Sequence, residues 1–186
     1  GGFWIGRYEA GITTNRTSEN EEITAEPLSK QGTVENAVYP YTYVTCSQAQ
    51  TLASKLSTGK SYTSSLMFGV QWDLVLKHIE VKEVEKGTAL ATIQSALRSD
   101  SSYWGNYNSE DVKQSGSSET YKKMNIYDLA GNAWEWTLEY AANTNDPCAL
   151  RGGDYGENGN DTPAGSHYDN GTTSCYNNVG YRISLY

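Results

Sequence analysis

Short apolar segments alternate with long polar ones along the chain, and their spacing predicts helices, short strands and irregular loops. Apolar side chains recur every three to four positions in residues 45–56 and 70–82, which predicts two helices. Residues 89–97 are a candidate for a third helix. Residues 3–11 are predicted to form an opening strand, and the alternation in residues 179–186 predicts a half-buried strand at the end.

One long segment near the end of the chain contains no residue of the kind that builds a hydrophobic core. Residues 154–178, called the polar tract below, contain no Leu, Ile, Val, Met, Phe, Trp, Lys or Arg. Such a segment cannot bury enough apolar surface of its own to offset the entropy lost on ordering. Because Arg151-Gly152-Gly153 precedes it and the terminal strand follows it, we expect both ends to be fixed. This arrangement is typical of a binding surface presented by a scaffold.

Composition and charge narrow the class of protein. A length of 186 residues fits one domain, residues 1–186. The net charge of −8 disfavours nucleic acid or an anionic membrane as a partner. No apolar run approaches the roughly 20 residues that a membrane-spanning helix needs, so no membrane insertion is expected. The chain begins Gly1-Gly2-Phe3 without Met, and we therefore expect it to be the C-terminal part of a longer protein.

The three cysteines do not define a metal site. Cys46, Cys148 and Cys175 form neither a CxxC pair nor a zinc-binding spacing. Their odd number leaves at least one of them unpaired within the chain. A bridge between Cys148 and Cys175 remains open at this stage, and so does the redox compartment.

Five motifs in the same order resemble the formylglycine-generating enzyme (sulfatase-modifying factor) superfamily. They are Phe3-Trp4-Ile5-Gly6-Arg7-Tyr8-Glu9, Gln71-Trp72-Asp73, Asn125-Ile126-Tyr127-Asp128-Leu129-Ala130-Gly131-Asn132-Ala133-Trp134-Glu135-Trp136-Thr137, Leu150-Arg151-Gly152-Gly153 and Gly180-Tyr181-Arg182. The resemblance implies an α+β, C-type-lectin-like fold of the formylglycine-generating enzyme type. Such a fold has two main helices, small twisted antiparallel sheets and long irregular loops.

The residues that the enzymes of this superfamily need are missing from the sequence. The oxidases use two thiols in the C-terminal segment to bind copper, whereas this segment has only Cys175. The related iron-dependent sulfoxide synthases use a cluster of histidines, and this chain has only His78 and His167. We therefore predict a non-catalytic protein and assign no catalytic residue. A degenerate formylglycine-generating-type oxidase is the alternative.

The chain is most similar to the non-catalytic variable proteins of diversity-generating retroelements, which include phage receptor-binding proteins and bacterial surface proteins. In these proteins adenines that encode a C-terminal segment are mutagenised, and in the polar tract only Glu157 lies outside the residues reachable from AAY asparagine codons. The resemblance implies a variable, ligand-binding region in residues 151–186. The expected partner is a cell-surface protein or glycan, and the expected location is a phage tail tip or a bacterial surface.

Two points about this interpretation stay open. An undiversified lectin-like binding domain would have the same sequence pattern in a single chain. An oligomer would strengthen a weak site through avidity, but the sequence does not define the oligomeric state.

Tyrosine and small polar side chains are the residue types expected to contact the ligand, because they combine contact area with adaptable hydrogen bonding. Tyr176 is instead interpreted as packing beneath the polar tract, and Asn177-Asn178 as a turn into the last strand. The predicted ligand contacts are Asp154, Tyr155, Asn158, Asn160, Asp161, Ser166, His167, Tyr168, Asp169 and Asn170.

A calcium ion is a further expectation that comes from the resemblance alone. The enzymes hold calcium in the loop that corresponds to residues 128–135. Here Asp128 and Glu135 would supply carboxylate oxygens, and Gly131 and Ala133 would supply carbonyl oxygens, which suits Ca²⁺. The alternative is a metal-free turn in which the two carboxylates cap backbone N–H groups. No other cofactor is expected.

The aromatic and basic residues of the late motifs are predicted to be structural. Trp134 and Trp136 are expected in the core. Arg151 and Arg182 are expected to fix the framework through hydrogen bonds to backbone groups or carboxylates.

Overall fold

A computed structural model describes residues 2–186, and it confirms the α+β class and the C-type-lectin-like arrangement of small sheets and long loops. The helices are α1 (Cys46–Lys55), α2 (Gly69–Glu85) and α3 (Leu90–Arg98), with one turn of 3₁₀ helix at Glu119–Tyr121. The strands are β1 (Trp4–Ile5), β2 (Gly11–Ile12), β3 (Tyr39–Pro40), β4 (Ser64–Leu66), β5 (Lys122–Lys123), β6 (Ile126–Tyr127), β7 (Trp134–Tyr140), β8 (Cys148–Arg151), β9 (His167–Asn170), β10 (Val179–Tyr181) and β11 (Ile183–Leu185).

The helices form where the apolar spacing predicted them. Helix α1 begins with a capping box in which the Gln48 N–H donates to Thr45 Oγ1 at 3.3 Å and the Thr45 N–H donates to Gln48 Oε1 at 2.8 Å. Ala49, Leu52 and Ala53 form its buried face. Helix α2 is longer at its C-terminal end than the predicted residues 70–82, and α3 confirms the candidate third helix.

The predicted opening strand is wrong in its extent. Residues 3–11 are divided between β1, which pairs with β11, and the first residue of β2, which pairs with β3. The chain changes its partner strand between them. The Gly6 N–H donates to Ile183 O in β11, whereas the Ala10 N–H donates to Tyr181 O in β10, both at 2.8 Å. Alternation alone could not show this change of sheet.

The predicted terminal strand is divided in the same way. Strand β10 ends at Tyr181 and β11 begins at Ile183, in two different sheets. Arg182 lies between them and is fully buried. Its side chain enters the centre of the molecule.

The polar tract belongs to the largest sheet, which has the strand order β10-β7-β8-β9. Strand β8 is antiparallel to both β7 and β9, whereas β10 is parallel to β7, with Val179 opposite Trp134. The parallel pair departs from the antiparallel sheets that the resemblance implied. Strand β9 lies at the edge of this sheet and is formed by the tract itself.

Two hydrophobic clusters support the sheets. The first contains Trp136, whose indole N–H donates to Val44 O at 2.8 Å, and Trp134. The second is formed around Trp72 of α2. The core positions predicted for Trp134 and Trp136 are confirmed. None of the helices in residues 2–186 combines the length and apolar character of a membrane-spanning segment.

Candidate ligand-binding cleft

The polar tract leaves the framework through a bend that only glycine adopts easily. Gly152 and Gly153 follow β8 with φ angles of +98° and +81°. A Cβ atom at Gly153 would lie 2.6 Å from Thr162 O, so the chain approaches itself closely at this point. The tract then runs across the surface, forms β9 at the sheet edge and enters β10.

The tract encloses a cleft of about 540 Å³ over the end of the largest sheet. Its apolar lining comes from the framework residues Trp134, Leu150 and Val179. The remaining lining comes from seven residues of the polar tract, which are Asp154, Glu157, Tyr168, Asn170, Tyr176, Asn177 and Asn178.

Hydrogen bonds fasten the beginning of the tract to its end. Asp154 Oδ1 accepts from the Gly156 N–H and Asp154 Oδ2 accepts from Asn178 Nδ2, both at 2.6 Å. The Tyr155 hydroxyl accepts from Asn177 Nδ2 at 2.7 Å. Asp154 and Tyr155 are both buried, and only Asp154 lines the cleft. Their predicted contact with a ligand stays a prediction, and the structure adds a supporting role for both side chains.

Strand β9 presents predicted residues on two sides. Tyr168 is 61% exposed and its ring lies 6.1 Å from that of Trp134, so it stands over the cleft beside Asn170. His167 and Asp169, together with Tyr168, line a shallower depression of about 310 Å³. The alternation of side chains along a strand explains this division.

The other predicted residues lie outside the cleft. Asn158 Oδ1 accepts from the backbone N–H groups of Asn160 at 3.0 Å and Asp161 at 2.9 Å, which closes a tight turn. This turn packs beside the loop after α3, where the Ser101 N–H donates to Gly159 O at 2.9 Å. Ser166 is partly exposed just before β9 and is not part of the lining.

Four lining residues were not among the predicted contacts. Tyr176 is 48% exposed and lines the cleft, so its interpretation as a residue packed beneath the tract is wrong. Glu157, Asn177 and Asn178 also line it. Their composition matches the rest of the tract, and their place follows from the parallel pairing of β10 with β7, which the sequence did not reveal.

The cleft carries acidic groups and no basic ones. Burial raises the pKa of both Asp154 and Glu157 above the ordinary values, by favouring the neutral form. No Lys or Arg side chain of residues 2–186 belongs to the lining. A neutral or cationic group therefore suits this cleft better than an anionic one.

The predicted calcium ligands lie in a buried network around Arg182. Arg182 Nη2 donates to Glu135 Oε1 at 2.6 Å and to the backbone oxygens of Tyr127 at 2.8 Å and Asp128 at 3.1 Å. Asp128 Oδ2 accepts from the Gly116 N–H at 2.7 Å, while Asp128 Oδ1 accepts no hydrogen bond from any group within residues 2–186. Burial raises the pKa of Asp128 to about 6.

Arg182 is paired with both oxygens of the Glu135 carboxylate. Glu135 could therefore bind a calcium ion only if this ion pair were broken. In residues 2–186, no three His, Cys, Asp or Glu side chains form a group that could hold a metal. The Asp128 contact with Gly116 matches the capping expected of a metal-free turn. Calcium at Asp128, Gly131, Ala133 and Glu135 stays a prediction from the resemblance.

The two framework arginines have the roles predicted for them. Arg182 is buried in the network just described. Arg151 Nε donates to Glu139 Oε2 at 2.7 Å, which connects β8 to β7. Both therefore bind carboxylates of the protein itself.

Comparisons with known proteins agree with this architecture. Residues 6–185 match the profile described as the sulfatase-modifying factor enzyme 1-like domain. No curated protein sequence matches the chain significantly.

Several solved structures share the fold. Variable protein 1 of Treponema denticola is 15% identical with a TM-score of 0.61, covering 98% of this chain and 84% of its own. PvdO from Pseudomonas aeruginosa is 16% identical with a TM-score of 0.63, covering 98% and 80%. The I1 variant of the major tropism determinant is 14% identical with a TM-score of 0.52, covering 98% and 50%. At these identities the likeness concerns the fold alone.

Proposed function

We propose that this chain, which belongs to the sulfatase-modifying factor enzyme 1-like domain family, is a non-catalytic member of it. In this proposal the chain binds a cell-surface macromolecule through the cleft of the polar tract. One observation carries this proposal. A tract without core-forming residues builds seven of the ten residues that line the cleft, over a floor of framework side chains. The scaffold is thus separate from the surface that it presents.

The exposed tyrosines support binding as the role of this cleft. Tyr168 and Tyr176 are both about half exposed or more at its rim. A tyrosine loses little rotamer entropy on binding and buries a large area, so it is a common anchor of interfaces. The amides of Asn170, Asn177 and Asn178 add donors and acceptors. A partner that presents a neutral or basic group, on a protein or a glycan, matches this lining.

The distribution of possible catalytic groups argues against the oxidase alternative. The polar tract contains a single thiol, Cys175, which cannot form a two-thiolate copper site by itself. The two histidines lie on different elements, His78 in α2 and His167 in β9. Copper-dependent oxidation of a cysteine peptide, abolished by Cys175→Ser, would favour the oxidase.

We further propose that the tract is diversified by a retroelement and displayed on a phage tail tip or a bacterial surface. The sequence resemblance to variable proteins supports this, as does the separation of tract from framework. The test is the genomic locus, where a near-copy repeat differing mainly at adenines should lie beside a reverse transcriptase gene. A complete locus without such a repeat would favour an undiversified binding domain.

The binding proposal is tested with the fluorescently labelled protein and a panel of bacterial strains, scored by flow cytometry. We expect Tyr168→Ala to weaken binding to a positive strain by about 30-fold, the effect of losing an interface anchor of about 2 kcal/mol. Tyr62→Ala is the matched control, because Tyr62 is also partly exposed but lies on the loop before β4. Equal binding by the two variants would contradict a role for the cleft.

A further inference from the structure

The fold brings two cysteines together that are far apart in the sequence. Cys46 is the first residue of α1, and Cys148 is the first residue of β8. Both are partly buried against the same hydrophobic cluster. Cys46 Sγ lies 3.7 Å from Thr137 O, and the Thr137 hydroxyl donates to Ala149 O at 3.1 Å, so Cys46 lies over the β7–β8 pair.

Cys148 is the neighbouring thiol of Cys46. Burial and the charge that Cys148 would carry raise the pKa of Cys46 to about 12. The pKa of Cys175 is raised by burial and by Glu19, without a contribution from another cysteine. The bridge between Cys148 and Cys175 that the sequence left open is therefore not the pairing favoured by the fold.

We propose that Cys46 and Cys148 form a modification site, which low-molecular-weight disulfides such as glutathione disulfide convert into an intramolecular crosslink. All three cysteines are free in the structure. A disulfide brings its two sulfurs to about 2.05 Å. The position of Cys46 over the β7–β8 pair places its thiol beside the start of β8, where Cys148 lies.

The exchange proceeds in two steps. The Cys148 thiolate attacks the external disulfide, forms a mixed disulfide and releases one thiolate of the reagent. Cys46 then loses its proton to solvent and attacks the Cys148 sulfur, which breaks the mixed disulfide and releases the second thiolate. The protein thiols are oxidised to one disulfide, and the reagent is reduced to two thiols. Cys148 reacts first, because the raised pKa keeps the Cys46 thiol protonated at neutral pH.

The crosslink would brace the sheet that carries the cleft. Cys148 is opposite Asn170 in the β8–β9 pair, and Asn170 lines the cleft. A bond to Cys46 would fix this end of β8 to α1. It would close a loop of roughly 100 residues, a length at which a disulfide restricts the unfolded chain strongly.

The experiment treats the whole chain with a series of glutathione disulfide concentrations, alkylates the remaining thiols and maps the peptides by mass spectrometry without reduction. We expect a linked peptide pair that contains Cys46 and Cys148, with Cys175 alkylated. The oxidised protein should unfold at a temperature about 10 °C above that of the reduced protein.

Three variants make the result specific. Cys175→Ser should keep both the linked peptide and the temperature shift, whereas Cys46→Ser and Cys148→Ser should lose both. A linked peptide that contains Cys175 would overturn the proposal. Stable glutathione adducts on Cys148 without the crosslink would overturn it as well. Serine is close in size to cysteine, and thermal unfolding of the reduced variants verifies that each of them is folded.

Discussion

The network around Arg182 and the polar tract both consist of polar residues, but the two regions use them in opposite ways. In the network, one fully buried guanidinium holds the Glu135 carboxylate and the backbone oxygens of Tyr127 and Asp128, which lie 47 to 55 residues away from it in the sequence. In the tract, polar side chains mostly bind neighbours within the tract itself, as Asn158 does with Asp161. A substitution in the first region leaves a charge buried without a partner, whereas one in the second exchanges groups at the surface.

The largest effect is expected from breaking the network. Arg182→Ala should lower the free energy of unfolding by about 4 kcal/mol, because it leaves the Glu135 carboxylate buried without its cation. Urea denaturation of the purified variant measures this loss. Arg98→Ala is the control, since Arg98 is mostly exposed and lies 3.8 Å from Glu80, so a loss below about 1 kcal/mol is expected. Similar losses for both variants would contradict the central role of Arg182.

An intermediate effect is expected from the pH dependence of the network. Burial raises the pKa of Asp128 from 3.8 to about 6, so the folded protein binds more protons than the unfolded chain between these values. The stabilising contribution is therefore complete below pH 4 and is lost as the pH rises through 6. The loss for this one group should be roughly 3 kcal/mol.

Asp128→Asn tests this dependence. Asparagine keeps an oxygen for the Gly116 N–H, and it tolerates the φ of +52° at this position. Urea denaturation between pH 4 and pH 8 should give a flatter profile for the variant and a higher stability near pH 8. Some slope should remain, because burial also raises the pKa of Glu9. An unchanged profile would show that Asp128 does not titrate in this range.

The smallest effect on stability is expected from the tract. Asn160→Ser, His167→Thr and Tyr168→Ser combined in one chain should lower the free energy of unfolding by less than about 1 kcal/mol, since all three side chains are exposed. Urea denaturation measures this value, and the binding assay with bacterial strains measures the accompanying loss of binding. A loss as large as that of Arg182→Ala would remove the distinction between the two regions.

The framework could be predicted from the sequence better than the cleft. The framework helices depend on local sequence, whereas the cleft depends on contacts between distant residues. The apolar spacing that defines the buried face of α1 repeats within ten residues, so the sequence shows it directly. The burial of Asp154 depends on Asn178, which lies far away in the sequence. Likewise, the exposure of Tyr176 depends on the parallel pairing of β10 with β7. No local pattern encodes either contact.

The resemblance provided the part of the prediction that composition could not. It defined the ends of the polar tract from Arg151-Gly152-Gly153 and Gly180-Tyr181-Arg182, and the structure has these motifs at β8 and β10 of one sheet, with β7 between them. It also implied calcium at Asp128 and Glu135, where the structure has an ion pair between Glu135 and Arg182. The motifs thus marked the ends of the tract, while the partners of each side chain depend on contacts between distant parts of the chain.

The positions of β8 and β10 on the two sides of β7 have a consequence for the length of the tract. Because neighbouring strands are about 4.8 Å apart, the framework holds the two ends of the tract only about 10 Å from each other. The cost of closing a flexible loop grows slowly with its length, by about 0.6 kcal/mol for each doubling. Insertions and deletions in the tract should therefore destabilise this fold nearly as little as substitutions do. The domain can thus change the depth of its cleft as well as its chemistry.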